Sequence, residues 1–282
     1  MFTKTLRLYE TDPIDTRPII QKIDEYINNK TLEEVLYEIS QIIQPKSFDE
    51  LLKESQNSQS ISQFFPTKLL DKNGRVKCII PSIATATKKD LISIMEHQAC
   101  EIYTKIADIV AQSFISKARS KFNFSKNTLK FLVENNIFIE SDRQDTFLNG
   151  IVAGLNFELS TAMHLLMPQV ENGIRHLAEE CGAVVYKTDT NGVEESLSLE
   201  SILELPEVEE FFDETFLFNL RLFYTSDYGF GMRNIISHGL YSDIELQTAQ
   251  SLAVFCFTLH ICCMYSTNLR KKLLSQKNRK SK

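Results

Sequence analysis

Glycine and proline are scarce in this chain, nine and seven residues in 282. An all-β sandwich or a dinucleotide-binding α/β enzyme needs many tight turns, so the shortage favours a mainly helical protein. The six cysteines (Cys78, Cys100, Cys181, Cys256, Cys262 and Cys263) include no C-x-x-C pair. That argues against a zinc ribbon, a redox motif or a secreted disulfide framework, and fits a reducing cytosol. The first ten residues carry charge every few positions and lack the apolar stretch of a secretory signal, so a cytoplasmic protein is expected. No internal repeat or low-complexity tract is present, and 43% apolar with 24% charged residues suffices for a sizeable core in one or two domains.

The common chemical signatures are also missing. There is no G-x-x-x-x-G-K-[ST], no H-E-x-x-H and no G-x-S-x-G, and Gly229-Phe-Gly231-Met-Arg-Asn lacks the third glycine and the preceding strand of a dinucleotide loop. Neither a metal nor a cofactor is expected. The formal net charge of −6 gives no global attraction to nucleic acid, but it is unevenly placed. Residues 188–220 hold ten acids and no Lys or Arg, whereas 270–282 hold seven bases and no acid. A polyanion must find a local basic patch.

What is present reads as helices with clear start signals. Thr31-x-x-Glu34 and Ser47-x-x-Glu50 are capping boxes ahead of apolar runs, and Asn73-Gly74 between two apolar runs predicts a β-hairpin over 64–80. Apolar residues at helical spacing, with no proline between Pro81 and Pro168, predict one long helix from Lys88 to near Phe122. Further helices are expected at 126–135, 142–155 and 157–181, the last bent or broken at Pro168, then at 198–204 and from near Glu207. Ser242-x-x-Glu245 opens a last helix to about Leu274 that carries no charge from Leu246 through Leu269. Its length permits a membrane span, but nine polar residues interrupt it, so a buried bundle helix with ordinary core cysteines is the expectation. The expected division is an N-terminal helical region with the hairpin, 1–85, and a helical domain, 86–282, ending in the basic tail 270–282.

One segment carries candidate chemistry: Tyr228-Gly-Phe-Gly-Met-Arg233-Asn234-Ile-Ile-Ser-His238-Gly239-Leu. If 232–238 is helical, Asn234 and His238 lie about 40° apart around the axis and Arg233 about 140° from His238, within reach of a long side chain. Gly239 fits the position after a helix C-cap, and Gly229 with Gly231 lets backbone approach closely upstream. An Arg, an amide and a His at one helix end offer a phosphodiester a held charge and a proton carrier. Nearby, Glu171 and Arg175 are an i,i+4 pair, read first as a structural salt bridge. His164, His176 and His260 read as core or interface residues, and His97 has no evident partner.

Arg233-Asn234-x-x-x-His238-Gly239 resembles the R-N-x-x-x-H-G signature of a bacterial and eukaryotic domain family that is itself similar to the HEPN superfamily (higher eukaryotes and prokaryotes nucleotide-binding). The likeness extends to Phe147-Leu-Asn-Gly-Ile-Val-Ala-Gly154-Leu and to His164-Leu-Leu-Met-Pro168-Gln169-Val-Glu171-Asn-Gly-Ile-Arg175-His176-Leu, and covers about residues 140–245. The resemblance implies an antiparallel helical bundle that commonly dimerises; because the motif offers a single histidine per chain while in-line cleavage needs two proton-transfer groups, a homodimer with a composite site at the interface is expected. It implies a metal-independent endoribonuclease, a toxin or anti-phage effector with a possible antitoxin or regulatory partner. In it Arg233 would hold the scissile phosphate, His238 would act as general acid or base, and Asn234 would orient either. Cleavage would run through the ribose 2′-OH to a 2′,3′-cyclic phosphate. The alternative is a catalytically silent module that binds RNA or a protein. Against RNA stands the charge of residues 151–269, four bases to seventeen acids.

Overall fold

The computed structural model describes residues 15–57, 65–70 and 74–280. The N-terminal stretch read for a signal, the Asp71–Asn73 part of the expected hairpin turn and the last two residues of the basic tail lie outside them. The protein is mainly α.

Three helices open the chain: α1 (Arg17–Asn28), α2 (Leu32–Gln41) and α3 (Phe48–Asn57). Both expected capping boxes form. Thr31 Oγ1 accepts the Glu34 N–H at 3.3 Å while the Glu34 carboxylate takes the Thr31 N–H at 2.9 Å, and Ser47 with Glu50 does the same at 3.2 and 2.7 Å. The α1 helix, with Pro18 in its first turn, has no capping box to announce it. The strands β1 (Thr67–Leu70) and β2 (Val76–Ile80) pair antiparallel as expected, with Gly74 at φ +73°.

The long helix runs to its expected end but in three pieces. The α4 helix (Lys88–Ile106) passes through a π-helical turn, Ala107–Ala111, into α5 (Gln112–Lys121). Ala107 and Ala111 are fully buried where this turn packs on the last long helix. The expected 126–135 helix is cut short: α6 (Lys126–Leu129) tightens into a 3₁₀ turn at Lys130–Leu132, and Asn135 turns left-handed at φ +53°. The α7 (Gln144–Leu155) and α8 (Leu159–Glu180) helices form a packed hairpin. Pro168 does not break α8; it lies on the exposed face, where water can satisfy the carbonyl it orphans.

Inside the acidic stretch β3 (Tyr186–Thr188) and β4 (Glu194–Ser196) form a second hairpin that the sequence pattern does not signal. Every residue of both strands is exposed, so no apolar alternation marks them. Short helices α9 (Leu199–Ile202), α10 (Pro206–Phe211) and α11 (Glu214–Leu220) follow, then a second π-helical turn, Arg221–Thr225, and α12 (Met232–Ser237).

The expected final helix is also three: α13 (Asp243–Leu246), α14 (Ala249–Tyr265) and α15 (Thr267–Lys280). The breaks fall where polar residues take other work. Gln247 leaves the helical path to accept the Leu159 N–H at 3.1 Å, capping α8, and Ser266 is extended to bridge Asn136. Ser251 through Leu259 are all buried, so the middle of the uncharged run is a central helix covered on every side. Among the described residues no helix is long and apolar enough to cross a membrane. Cys256, Cys262 and Cys263 are core thiols, and burial pushes Cys256 and Cys263 up to about 12. Buried residues of α2 and α14 belong to one hydrophobic cluster, so the N-terminal helices share the core of the rest.

Asn136 joins the ends of this core. Its amide, buried, donates to the carbonyls of Leu132 (2.8 Å) and Cys262 (2.9 Å), and its Oδ1 accepts the Phe138 N–H (3.0 Å). Asn136→Ala strands three backbone groups away from water and is expected to cost about 2–4 kcal/mol, read as a lower urea midpoint with an unchanged slope.

Candidate active site

The Arg233–His238 segment is launched by the second π-helical turn. A helix end leaves its last carbonyls without partners, and here the segment itself supplies them. Ser226 N–H donates to Arg221 O (2.8 Å), Phe230 N–H to Leu222 O (2.9 Å), and the Asn234 amide to Thr225 O (3.1 Å). The approach is close enough to require glycine. A Cβ on Gly229 would sit 2.3 Å from Leu222 O, and Gly231, at φ +54°, would place one 2.9 Å from Ser226 O. Ser226 is held in turn by a buried carboxyl on α4: its Oγ donates to Glu96 Oε2 at 2.7 Å. Burial pushes the Glu96 pKa up, while the Ser226 hydrogen bond and the charge of Arg221 pull it down.

On α12 Arg233 turns toward α8 and meets Glu171 edge-on. Nε–H donates to Oε2 at 2.8 Å and Nη2–H to Oε1 at 3.2 Å. Glu171 Oε1 also accepts Arg175 Nη2–H at 3.2 Å, so one carboxylate is shared by two guanidiniums. The expected Glu171–Arg175 helix pair is therefore part of a tertiary clasp. The side chains of Arg233, Glu171 and Arg175 are only 23%, 16% and 19% exposed, so salt and water screen the pairing less than a surface bridge. The hydrogen bond to Glu171 raises the Arg233 pKa further above its ordinary value, against the opposing effect of burial. Asn234 completes the clasp: Oδ1 accepts Arg233 Nη1–H at 3.3 Å, and Nδ2 reaches Glu200 Oε1 at 3.3 Å as well as Thr225 O.

His238 ends the helix as its C-cap, with φ −99° and ψ 1°. Gly239 takes the left-handed position expected of it, φ +58°, and closes a Schellman turn: Leu240 N–H donates to Ile235 O (3.0 Å) and Gly239 N–H to Ile236 O (3.2 Å). The His238 side chain is exposed, and among the described residues its ring takes part in no hydrogen bond of the clasp. Arg233, Asn234, Glu171 and Arg175 are thus brought together, with His238 at the rim. The shared face foreseen for Asn234 and His238 is divided, because the amide turns inward to the orphan carbonyl of the π turn while the imidazole leaves at the cap.

Glu200, Thr225 and Glu96 are the contributors that sequence spacing missed, since they lie 34, 9 and 130 positions from the residues they touch. Three of the other four histidines meet polar partners away from the clasp. His164 Nδ1 and Ser160 O are 2.9 Å apart, as are His260 Nδ1 and Ser40 O, and His97 faces Glu101 at 3.8 Å. Among the described residues no group of three or more His, Cys, Asp or Glu could hold a metal ion.

The arrangement has one chemical surplus. A guanidinium offers five N–H donors; Glu171 and Asn234 take three from Arg233, and among the described residues the other two, one on each terminal nitrogen, meet no acceptor. Spare donors on an already oriented guanidinium suit phosphate oxygens. No family model, curated protein or solved structure matches the chain.

Removing the shared carboxylate tests the clasp. Glu171→Ala leaves two half-buried guanidiniums facing each other without a counter-charge and is expected to cost about 2–4 kcal/mol, with Glu171→Gln costing less. Urea denaturation reads both, and midpoints equal to wild type would show that the clasp adds no net stability.

Proposed function

We propose that this protein is a metal-independent endoribonuclease in which Arg233 holds the scissile phosphate and His238 moves the proton. The observation that carries the reading is the pair of unused Arg233 donors, on a guanidinium already fixed by Glu171 and Asn234 and five residues ahead of an exposed imidazole at the end of the same short helix. Fixing the charge before substrate arrives avoids reorganisation when charge develops on the phosphorane. The 2′-OH attacks the adjacent phosphorus, the 5′ oxygen leaves with a proton, and the products are a 2′,3′-cyclic phosphate and a 5′-OH.

That reaction needs one group to accept the 2′-OH proton and another to protonate the leaving oxygen. One motif supplies a single histidine, so the proposal includes a homodimer that joins two copies of Arg233 and His238 in one groove. Leu240 and Ile244, 52% and 84% exposed just beyond the motif, offer apolar surface for such an interface. By its resemblance the enzyme would serve as a toxin or anti-phage effector, restrained by an antitoxin or regulatory protein.

A silent module that binds RNA or a protein is the second reading. It is favoured by the bidentate hold of Glu171 on Arg233, which occupies two of that guanidinium's donors, and by the acidic surroundings of the motif.

Incubating the wild type and His238→Ala with total RNA in EDTA, then sequencing new 5′ ends, separates the two. Cleavage by the wild type alone is expected, with a loss of at least about a hundredfold for His238→Ala and for Arg233→Ala. His238→Ala should melt with the wild type because its ring is exposed, and Arg233→Lys should rescue poorly because a point charge cannot give the two-point contact. DNA and a substrate with 2′-deoxy at the scissile position should resist. Absence of cleavage, or cleavage that needs Mg²⁺ or Mn²⁺, would defeat the ribonuclease reading.

A further inference from the structure

The acidity around the motif leaves open how a polyanion is captured at all, and the answer lies on another face. Residues 109–133 contain five bases (Lys117, Arg119, Lys121, Lys126 and Lys130) and no acid, and residues 270–282 contain seven bases and no acid. Far apart in sequence, these two segments meet in the fold. The α15 helix packs on the 3₁₀ turn at Lys130–Leu132 and on α2. Lys272 Nζ stands 4.6 Å over the Phe131 ring, and the Asn268 amide donates to Glu134 O at 3.0 Å. At the other margin Thr31 reaches Gln276 at 3.0 Å, while Lys121 Nζ donates to the carbonyls of Ile27, Asn28 and Lys30 at 2.7–3.1 Å. Both segments thus border the N-terminus of α2, whose first turn carries Glu33 and Glu34.

Carboxylates answer part of this charge: Asp24 faces Lys117 at 3.4 Å, Glu134 faces Lys130 at 3.5 Å, and Glu33 faces Lys272 at 2.8 Å. Arg119, Lys121, Lys126, Arg270 and Lys271 are exposed and, among the described residues, within ion-pair distance of no carboxylate. The surface also holds a shallow, mostly polar cleft of about 370 Å³ between Arg119, Lys121, Phe122, Asn123 and Asn156. Cations flanking a part-exposed aromatic ring are the features that hold a single strand by its phosphates and stack its bases. Contacts connect the margin of the cleft to the segment that follows the motif. Arg119 lies 5.3 Å over the Phe157 ring, Phe157 O accepts from the Gln247 amide, and Gln247 closes α13, whose first residue, Asp243, is five positions after His238.

We infer that the face built from residues 117–130 and helix α15 is the docking surface for single-stranded RNA, bound chiefly through its phosphates. The inference rests on the ribonuclease reading for its choice of polyanion and assigns capture to a surface separate from the Arg233 clasp. An acidic site fed by a basic face keeps the strand loosely held at the point of cleavage, while affinity comes from charges that contact no reacting atom.

Binding of a fluorescein-labelled oligouridylate to His238→Ala, followed by anisotropy between about 50 and 200 mM salt, tests this without cleavage. Replacing Arg119, Lys126, Arg270 and Lys271 together by Gln should weaken binding at least about 30-fold and flatten the log–log salt slope by about 2 to 3, since each single-strand phosphate contact contributes about 0.7. Each pair alone, Arg119 with Lys126 or Arg270 with Lys271, should give an intermediate loss, and all variants should melt like their parent. A control set changing Lys68, Lys88, Lys89 and Lys105 to Gln alters the net charge equally and should leave binding within about threefold. Equal loss in the control set, or loss confined to one pair, would overturn the inference. So would binding to vesicles of phosphatidylcholine and phosphatidylserine with none to RNA. RNA bound through this face by a wild type that does not cut would leave the surface standing and defeat the nuclease reading instead.

Discussion

The fold depends on the need to cover α14 on every side. A helix with no charged residue and no solvent face through Ser251–Leu259 cannot sit at an edge, and each large apolar side chain it buries adds about 1.5–3 kcal/mol. The α2, α4, α7 and α8 helices and both π-helical turns pack against it. Its neighbours are adjusted to fit: Ala107 and Ala111 give it room on one side, and on another Phe223 and Phe230 stack in turn outward from Phe257 at 4.2 and 4.9 Å between ring centroids.

That aromatic stack links the core to the candidate site. Phe223 belongs to the π turn and Phe230 to the loop before α12, so packing against α14 sets where the turn's carbonyls point. The loop then answers those carbonyls, and Gly229 and Gly231 permit the approach that a side chain would block. Arg233 arrives facing Glu171 as a result. The clasp is thus the last link of a chain that begins in apolar burial, and its charges are oriented by groups with no chemical role of their own.

Charge is segregated over the same framework. Acids gather in the exposed β3–β4 hairpin and the short helices around the motif, bases along residues 117–130 and α15. Phosphate chemistry beside carboxylates is possible only if attraction is supplied elsewhere or if a second copy of the motif changes the local balance.

The helical class, both N-terminal capping boxes, the first hairpin, the span of the long helix and the place of Gly239 just after a helix C-cap were legible in the sequence, because each depends on interactions within a few residues. The burial of the middle of 246–269 was legible too, from its missing charges. The interruptions were not. The two π turns and the breaks at Gln247 and Ser266 arise where a distant partner, α14, Leu159 or Asn136, outweighs local helix preference. The exposed β3–β4 hairpin carried no alternation to read. At the site the Arg–Asn–His spacing was visible, but local geometry placed Asn234 with His238, whereas a carbonyl orphaned by a π turn drew the amide inward and left the imidazole at the rim. By itself the sequence determined which residues carry charge and where capping boxes open helices; the tertiary structure alone decided that one carboxylate, Glu171, would stand between two arginines, because that meeting joins residues 62 positions apart.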